Sequence, residues 1–122
     1  MRTQKTTKQL SATTISGRIE FIRSSLNLSQ EDLGRILNVS VRTIVRWEKE
    51  GDQPPSLEME RLEMIQEVVE ISRDIMDSEN VPGWFSSPKE AFSGLRPLDL
   101  LSTFRGIKKV QEFLEKIRWG VF

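Results

Sequence analysis

Twenty residues, from Gln30 to Lys49, restrict this chain more than any other stretch, because they meet the steric demands of two helices joined by a sharp turn. Where two helices cross closely, a small residue must stand at the crossing, and Gly34 is placed for it. The turn needs a residue that tolerates left-handed backbone, and Asn38 is the best choice after glycine. Leu28 precedes Ser29-Gln30-Glu31-Asp32, a serine cap with an acid three residues on, which marks a helix start. Ser40 caps the second helix. Leu33, Leu37, Val39, Ile44 and Trp47 fall where side chains must hold the pair together and seat it on a preceding helix, so the spacing assigns Trp47 to the core. The pattern predicts a helix-turn-helix.

The flanking segments extend a helical reading. From Ser16 onward, Ile19, Phe21, Ile22 and Leu26 form an apolar face near a 3.6-residue period. Gly51 and Pro54-Pro55 end the helix-turn-helix region. A long helix is expected from about Ser56 to Asp77, with Leu57, Leu62, Ile65, Val68, Val69, Ser72, Ile75 and Met76 inward and its acids outward. Val81-Pro82-Gly83 is expected to break it. Pro97 suits the first turn of a short helix, and Thr103 caps a last one carrying Ile107, Val110, Leu114 and Ile117, which Gly120 ends. No segment alternates at period two, so the fold class is all-α. The expected divisions are a disordered arm over 1–14, a helix-turn-helix domain over 15–53, a linking helix over 54–80 and a small helical domain over 81–122.

Composition narrows the chemistry. The 122 residues include no cysteine and no histidine, which removes disulfides, thiol and imidazole catalysis and metal sites built on sulfur or nitrogen. Asp99 and Glu112 are the carboxylates an acid–base mechanism would have to use, and they come without a nucleophile or a phosphate loop, so the chain is read as no enzyme. The amino terminus lacks an apolar leader and no run is long enough to span a membrane, which gives a cytoplasmic expectation. Net charge is zero but unevenly spread. Residues 1–46 carry eight bases against three acids, residues 54–80 two against eight, and residues 81–122 seven against four. A basic first part on a neutral chain suggests a polyanionic partner for that part.

A helix-turn-helix directs the amino-terminal side chains of its second helix into the DNA major groove. The exposed positions there are Val41, Arg42 and Arg46, flanked by Thr43 and the cap Ser40. Arginine donates twice to guanine, and a valine packs on a thymine methyl. Arg42 is read as a base contact, and Arg46 as a base or a phosphate contact. Gln30, at the start of the first helix, is placed to reach a phosphate.

In the remainder, Trp84, Phe85, Phe92, Leu98, Leu101, Val110, Leu114 and Ile117 are expected to form a helical core, with Gly94 and Gly106 at a turn or a close approach. Trp119, Val121 and Phe122 flank the glycine that ends the last helix as a cluster of large apolar residues, either displayed to a partner or folded back on the core.

Leu28 to Gly34 together with Val39 to Glu48 resembles the Xre type of phage-repressor-like helix-turn-helix. Trp84, Gly94, Pro97-Leu98-Asp99-Leu100-Leu101, Gly106, Val110, Leu114, Ile117, Gly120 and Val121 resemble the toxin-binding domain of Xre/MbcA/ParS-type antitoxins. Phe92-Ser93-Gly94 and Trp119 depart from that pattern. The resemblance implies phosphate contact at Gln30 and base contact at Val41, Arg42 and Arg46, with binding to inverted repeats as a homodimer. It also implies an antitoxin whose residues 81–122 bind a RES-domain toxin that consumes NAD, with Trp119, Gly120, Val121 and Phe122 blocking the toxin's active site. Such a chain needs no cofactor and represses its own operon. The alternative reading is a stand-alone regulator whose second half mediates dimerisation. A toxin gene beside this one separates the two.

Overall fold

The computed structural model describes residues 14–120. The arm expected over 1–14 lies, apart from Thr14, outside them, as do Val121 and Phe122. Among the described residues every regular element is helical. α1 is Ile15–Leu26, α2 is Gln30–Leu37, and α3 is Val41–Val45, which runs on through one π-helical turn, Arg46–Glu50. The long α4 is Ser56–Ile75. After it come α5 (Val81–Ser86), α6 (Pro97–Leu100) and α7 (Phe104–Trp119), with short 3-10 turns at Ser78–Asn80 and Glu90–Phe92.

Local chemistry explains the boundaries. Thr14, expected in the arm, is the cap of α1: its side chain accepts from the backbone N–H of Gly17. Asn27 and Asn38 close α1 and α2 in the left-handed conformation, each at φ 58°. Ser29 and Asp32 form a reciprocal capping box at the start of α2, each bond 2.9 Å long. Pro97 occupies the first turn of α6, where Arg96 and Asp99 pair across the cap. Thr103 caps α7 and Gly120, at φ 67°, ends it.

Three expectations need correction. Leu57, expected on the inner face of α4, is 63% exposed, while Met59 in the same turn packs against the core and Gln66 and Ile71 are buried further along. The long helix stops at Ile75, before the segment Val81-Pro82-Gly83, which begins α5 rather than breaking α4. Proline cannot continue a helix but fits its first turn, so the same residue serves as stop or start according to what precedes it. Ile117 points outward, while Trp84 and Leu98 are half-buried; Phe85, Leu101, Val110 and Leu114 are fully buried as expected.

A single core runs from Ile15 to Leu114, so the two halves of the chain share one apolar interior. α4 is its axis, packing against α1 on one side and α7 on the other. The Nε2 of Gln111 donates to Glu67 Oε1 at 3.1 Å and Arg118 Nη1 donates to Asp74 Oδ2 at 3.2 Å. Both pairs are 44 residues apart, so α4 and α7 run in the same direction in fixed register. Near the start of α4 the Arg61 guanidinium donates to the carbonyls of Ile36 at 2.8 Å, Leu37 at 3.0 Å and Ser102 at 2.8 Å. It satisfies carbonyls at the end of α2 and ties that end to the loop before α7. Burial lowers the proton affinity of Arg61, although an arginine keeps its charge throughout the neutral range.

The capping carboxylates predict an acid sensitivity. A backbone hydrogen bond from Ser29 holds the Asp32 carboxyl below its usual range, and the side-chain bond from Arg96 does the same for Asp99. Both folded values lie below the unfolded one, so the stabilisation is complete above roughly pH 5 and drains away as pH falls through the unfolded and then the folded values. Unfolding midpoints measured from pH 5 down to pH 2 are expected to fall more steeply for the natural chain than for an Asp32→Asn/Asp99→Asn variant.

Candidate functional site

The helix that begins at Val41 is held against α2 at the position the sequence marked. A methyl group built on Gly34 would lie 2.9 Å from the Val39 carbonyl oxygen and 3.7 Å from Ile44 Cγ1, so only a glycine lets the turn close this tightly. Ser40 Oγ accepts from the backbone N–H of Thr43 at 3.1 Å and lies 2.9 Å from the Thr43 hydroxyl. The cap thus uses Ser40 and Thr43 on the helix itself and leaves the neighbouring side chains free. Val41 is 44% exposed, and Arg42 and Arg46 are exposed one helical turn apart, on one face. Arg46 Nε also makes a 3.4 Å ion pair with Asp52, an exposed contact of the kind that yields readily to a competing anion. Ile44 and Trp47 are fully buried beneath that face.

One buried carboxylate that braces the helix-turn-helix escaped the sequence reading. Glu48 is buried, with its side chain only 5% exposed, and accepts from Arg23 Nη1 at 2.7 and 2.9 Å and from Gln30 Nε2 at 2.9 Å. Arg23 Nε in turn donates to the Leu28 carbonyl at 3.1 Å. A single carboxylate therefore fastens the far end of α3 and its π turn to α1 and to the first residue of α2. The π turn brings two consecutive residues, Trp47 and Glu48, to the inner side. A signal was present: Arg23 follows Ile19 by four residues and Glu48 follows Ile44 by four, so opposite charges sit on two otherwise apolar stripes. Gln30, expected at a phosphate, has its amide nitrogen turned toward Glu48.

The other end of the molecule displays an aromatic side chain. Trp119 is 67% exposed at the last turn of α7. The Arg118 guanidinium lies 4.9 Å from the centre of its ring, and the indole nitrogen donates to Glu115 Oε2 at 3.4 Å. Arg118 is itself fixed by Glu115 at 2.7 Å and Asp74 at 3.2 Å. Gly120 follows in the left-handed conformation; Val121 and Phe122 complete the expected cluster outside the described residues. Asp99 and Glu112 are not paired with each other: Asp99 is taken up by Arg96, and Glu112 is exposed on α7.

Residues 19–65 match a helix-turn-helix family model, and residues 74–120 match the antitoxin Xre/MbcA/ParS C-terminal toxin-binding domain. The mycobacterial cidal antitoxin MbcA of Mycobacterium tuberculosis is 27% identical over 111 residues, covering 91% of this chain and 94% of MbcA. The uncharacterised HTH-type transcriptional regulator YiaG of Escherichia coli is 33% identical over 65 residues, which are 53% of this chain and 68% of YiaG. The fold matches a chain in the crystal structure of the M. tuberculosis MbcT–MbcA toxin–antitoxin complex with a TM-score of 0.72 at 22% identity, covering 93% of this chain and 96% of that one.

Proposed function

Because the chain belongs to the Xre/MbcA/ParS family of antitoxins, we propose that its second half neutralises a toxin and its first half represses the operon encoding both. The observation that carries this reading is the display of two unlike surfaces on one shared core: a capped helix presenting Val41, Arg42 and Arg46, and a last turn presenting Trp119. The toxin is a RES-domain protein that consumes NAD, and Trp119, Gly120, Val121 and Phe122 enter and block its active site. The chain acts in the cytoplasm as a homodimer on an inverted-repeat operator and needs no cofactor. Its own part in the reaction is occlusion, a binding role, so the chain is no enzyme.

On the DNA side, Arg42 and Arg46 read base edges or phosphates, Val41 contacts a thymine methyl, and Ser40, Thr43 and Gln30 position the helix. Arg42→Ala is expected to weaken operator binding by about 1–3 kcal/mol and to relax preference at one base pair. If Arg46 contacts phosphate, Arg46→Ala weakens all sequences alike and reduces the dependence of log affinity on log salt by about 1. Electrophoretic shifts on the promoter fragment at several salt concentrations check both. On the toxin side, the tagged full chain is expected to co-purify with the product of the adjacent gene. A chain that shifts promoter DNA but captures no such product would favour the stand-alone regulator, with the second half serving dimerisation.

A further inference from the structure

A groove of about 310 Å³ lies beside the exposed face of α7. Its lining includes the apolar side chains of Leu95, Leu100 and Phe113 together with Lys109, Glu112 and Lys116. Leu95 is 48% exposed, a large apolar side chain that the chain's own core leaves uncovered. Phe113 is fixed in place by an edge contact with Phe92 at 5.2 Å and a stacked contact with Trp84 at 6.2 Å. The aromatic wall is therefore preorganised, and an incoming side chain would meet a formed surface rather than have to order one.

We propose that this groove is a second docking site for the toxin, taking a segment that presents an apolar side chain flanked by carboxylates. The inference rests on reading residues 74–120 as the toxin-binding half, within which every lining residue falls. Residues 109, 112 and 113, 116 and 119 recur at helical spacing, so the groove face continues along α7 to Trp119. The two lysines outnumber the single glutamate, which selects an acidic over a basic partner segment. A second copy's acidic α4 face is the competing occupant, and oligomeric state tests it.

Two full-length variants, Leu95→Asp and Lys109→Glu/Lys116→Glu, are titrated against the product of the adjacent gene beside the natural chain and a chain ending at Ile117. Circular dichroism and sedimentation report fold and oligomeric state. The expected result is a loss of affinity of about tenfold or more in each variant, with unchanged fold and unchanged oligomer. Natural affinity in both variants, with binding lost in the truncated chain, would overturn the groove and leave the toxin-binding reading standing. A change of oligomer in the variants would give the groove to a second copy and overturn the proposal. Failure of the natural chain itself to bind would overturn both.

Discussion

Gly106→Ala is expected to pull the second half of the molecule off its frame. A methyl group on this buried residue would fall well inside van der Waals contact with the Leu100 carbonyl oxygen, 2.8 Å from Leu100 carbon and 3.0 Å from Thr103 Oγ1. The first two are backbone atoms, and the third already caps α7 by accepting from Gly106 N at 2.9 Å. No rotamer change relieves this, so the end of α6 must move away from the first turn of α7. Overpacking costs about 1–3 kcal/mol, and against unyielding backbone atoms the upper end of that range or more is expected. The displaced segment carries Leu101, buried in the shared core, Pro97, also buried, and Ser102, whose carbonyl Arg61 binds. Urea denaturation is expected to show a large fall in midpoint, with toxin capture lost in parallel. Gly83→Ala is the control: it lies in α5 with nothing within 4 Å of the added methyl, and its stability should change little or rise. Equal behaviour of the two variants would contradict the packing described at Leu100.

Glu48→Ala is the other large effect, and it falls on the DNA-reading half. The carboxylate is buried and has two donors, Arg23 and Gln30, which its loss leaves without that acceptor. Removing one partner of a buried ion pair costs about 3–5 kcal/mol; Arg23 keeps 27% side-chain exposure, so water recovers part of this and about 3 kcal/mol is expected. That corresponds to a melting midpoint lower by roughly 10 °C. Operator binding should fall with it, because the end of the reading helix is no longer tied to α1 and α2. Glu48→Gln separates charge from geometry: it keeps an acceptor for Gln30 and is expected to lie between the alanine variant and the natural chain. Near-natural stability of Glu48→Ala would show that the ion pair contributes nothing net.

How much of this was legible in the sequence depended on whether the controlling interaction is local. Ser29, Asn38, Ser40, Thr103 and Gly120 act on backbone groups within a few residues, so their roles could be read directly and the structure places each at the helix end assigned to it. Gly34 was legible too, since its partner Val39 is near in sequence. The misreadings lie where distant packing decides. Leu57 has the spacing of an inward residue but is left 63% exposed, and Val81-Pro82 carries opposite instructions depending on whether α4 has already ended. Glu48 meets Arg23 across 25 residues, and Arg61 meets Ser102 across 41; neither partner is set by local pattern. The groove beside α7 needed Leu95, Leu100 and Phe113 brought together by tertiary packing, and periodicity alone assigns such residues to a core.

The most direct test of the account is growth of cells induced for the adjacent gene, carrying either the full chain or one ending at Ile117. The account predicts that the full chain restores growth and the truncated chain does not, although the truncated chain still folds and still shifts promoter DNA. Equal rescue by both would remove the terminal residues from toxin neutralisation, and absence of rescue by the full chain would contradict the antitoxin function itself.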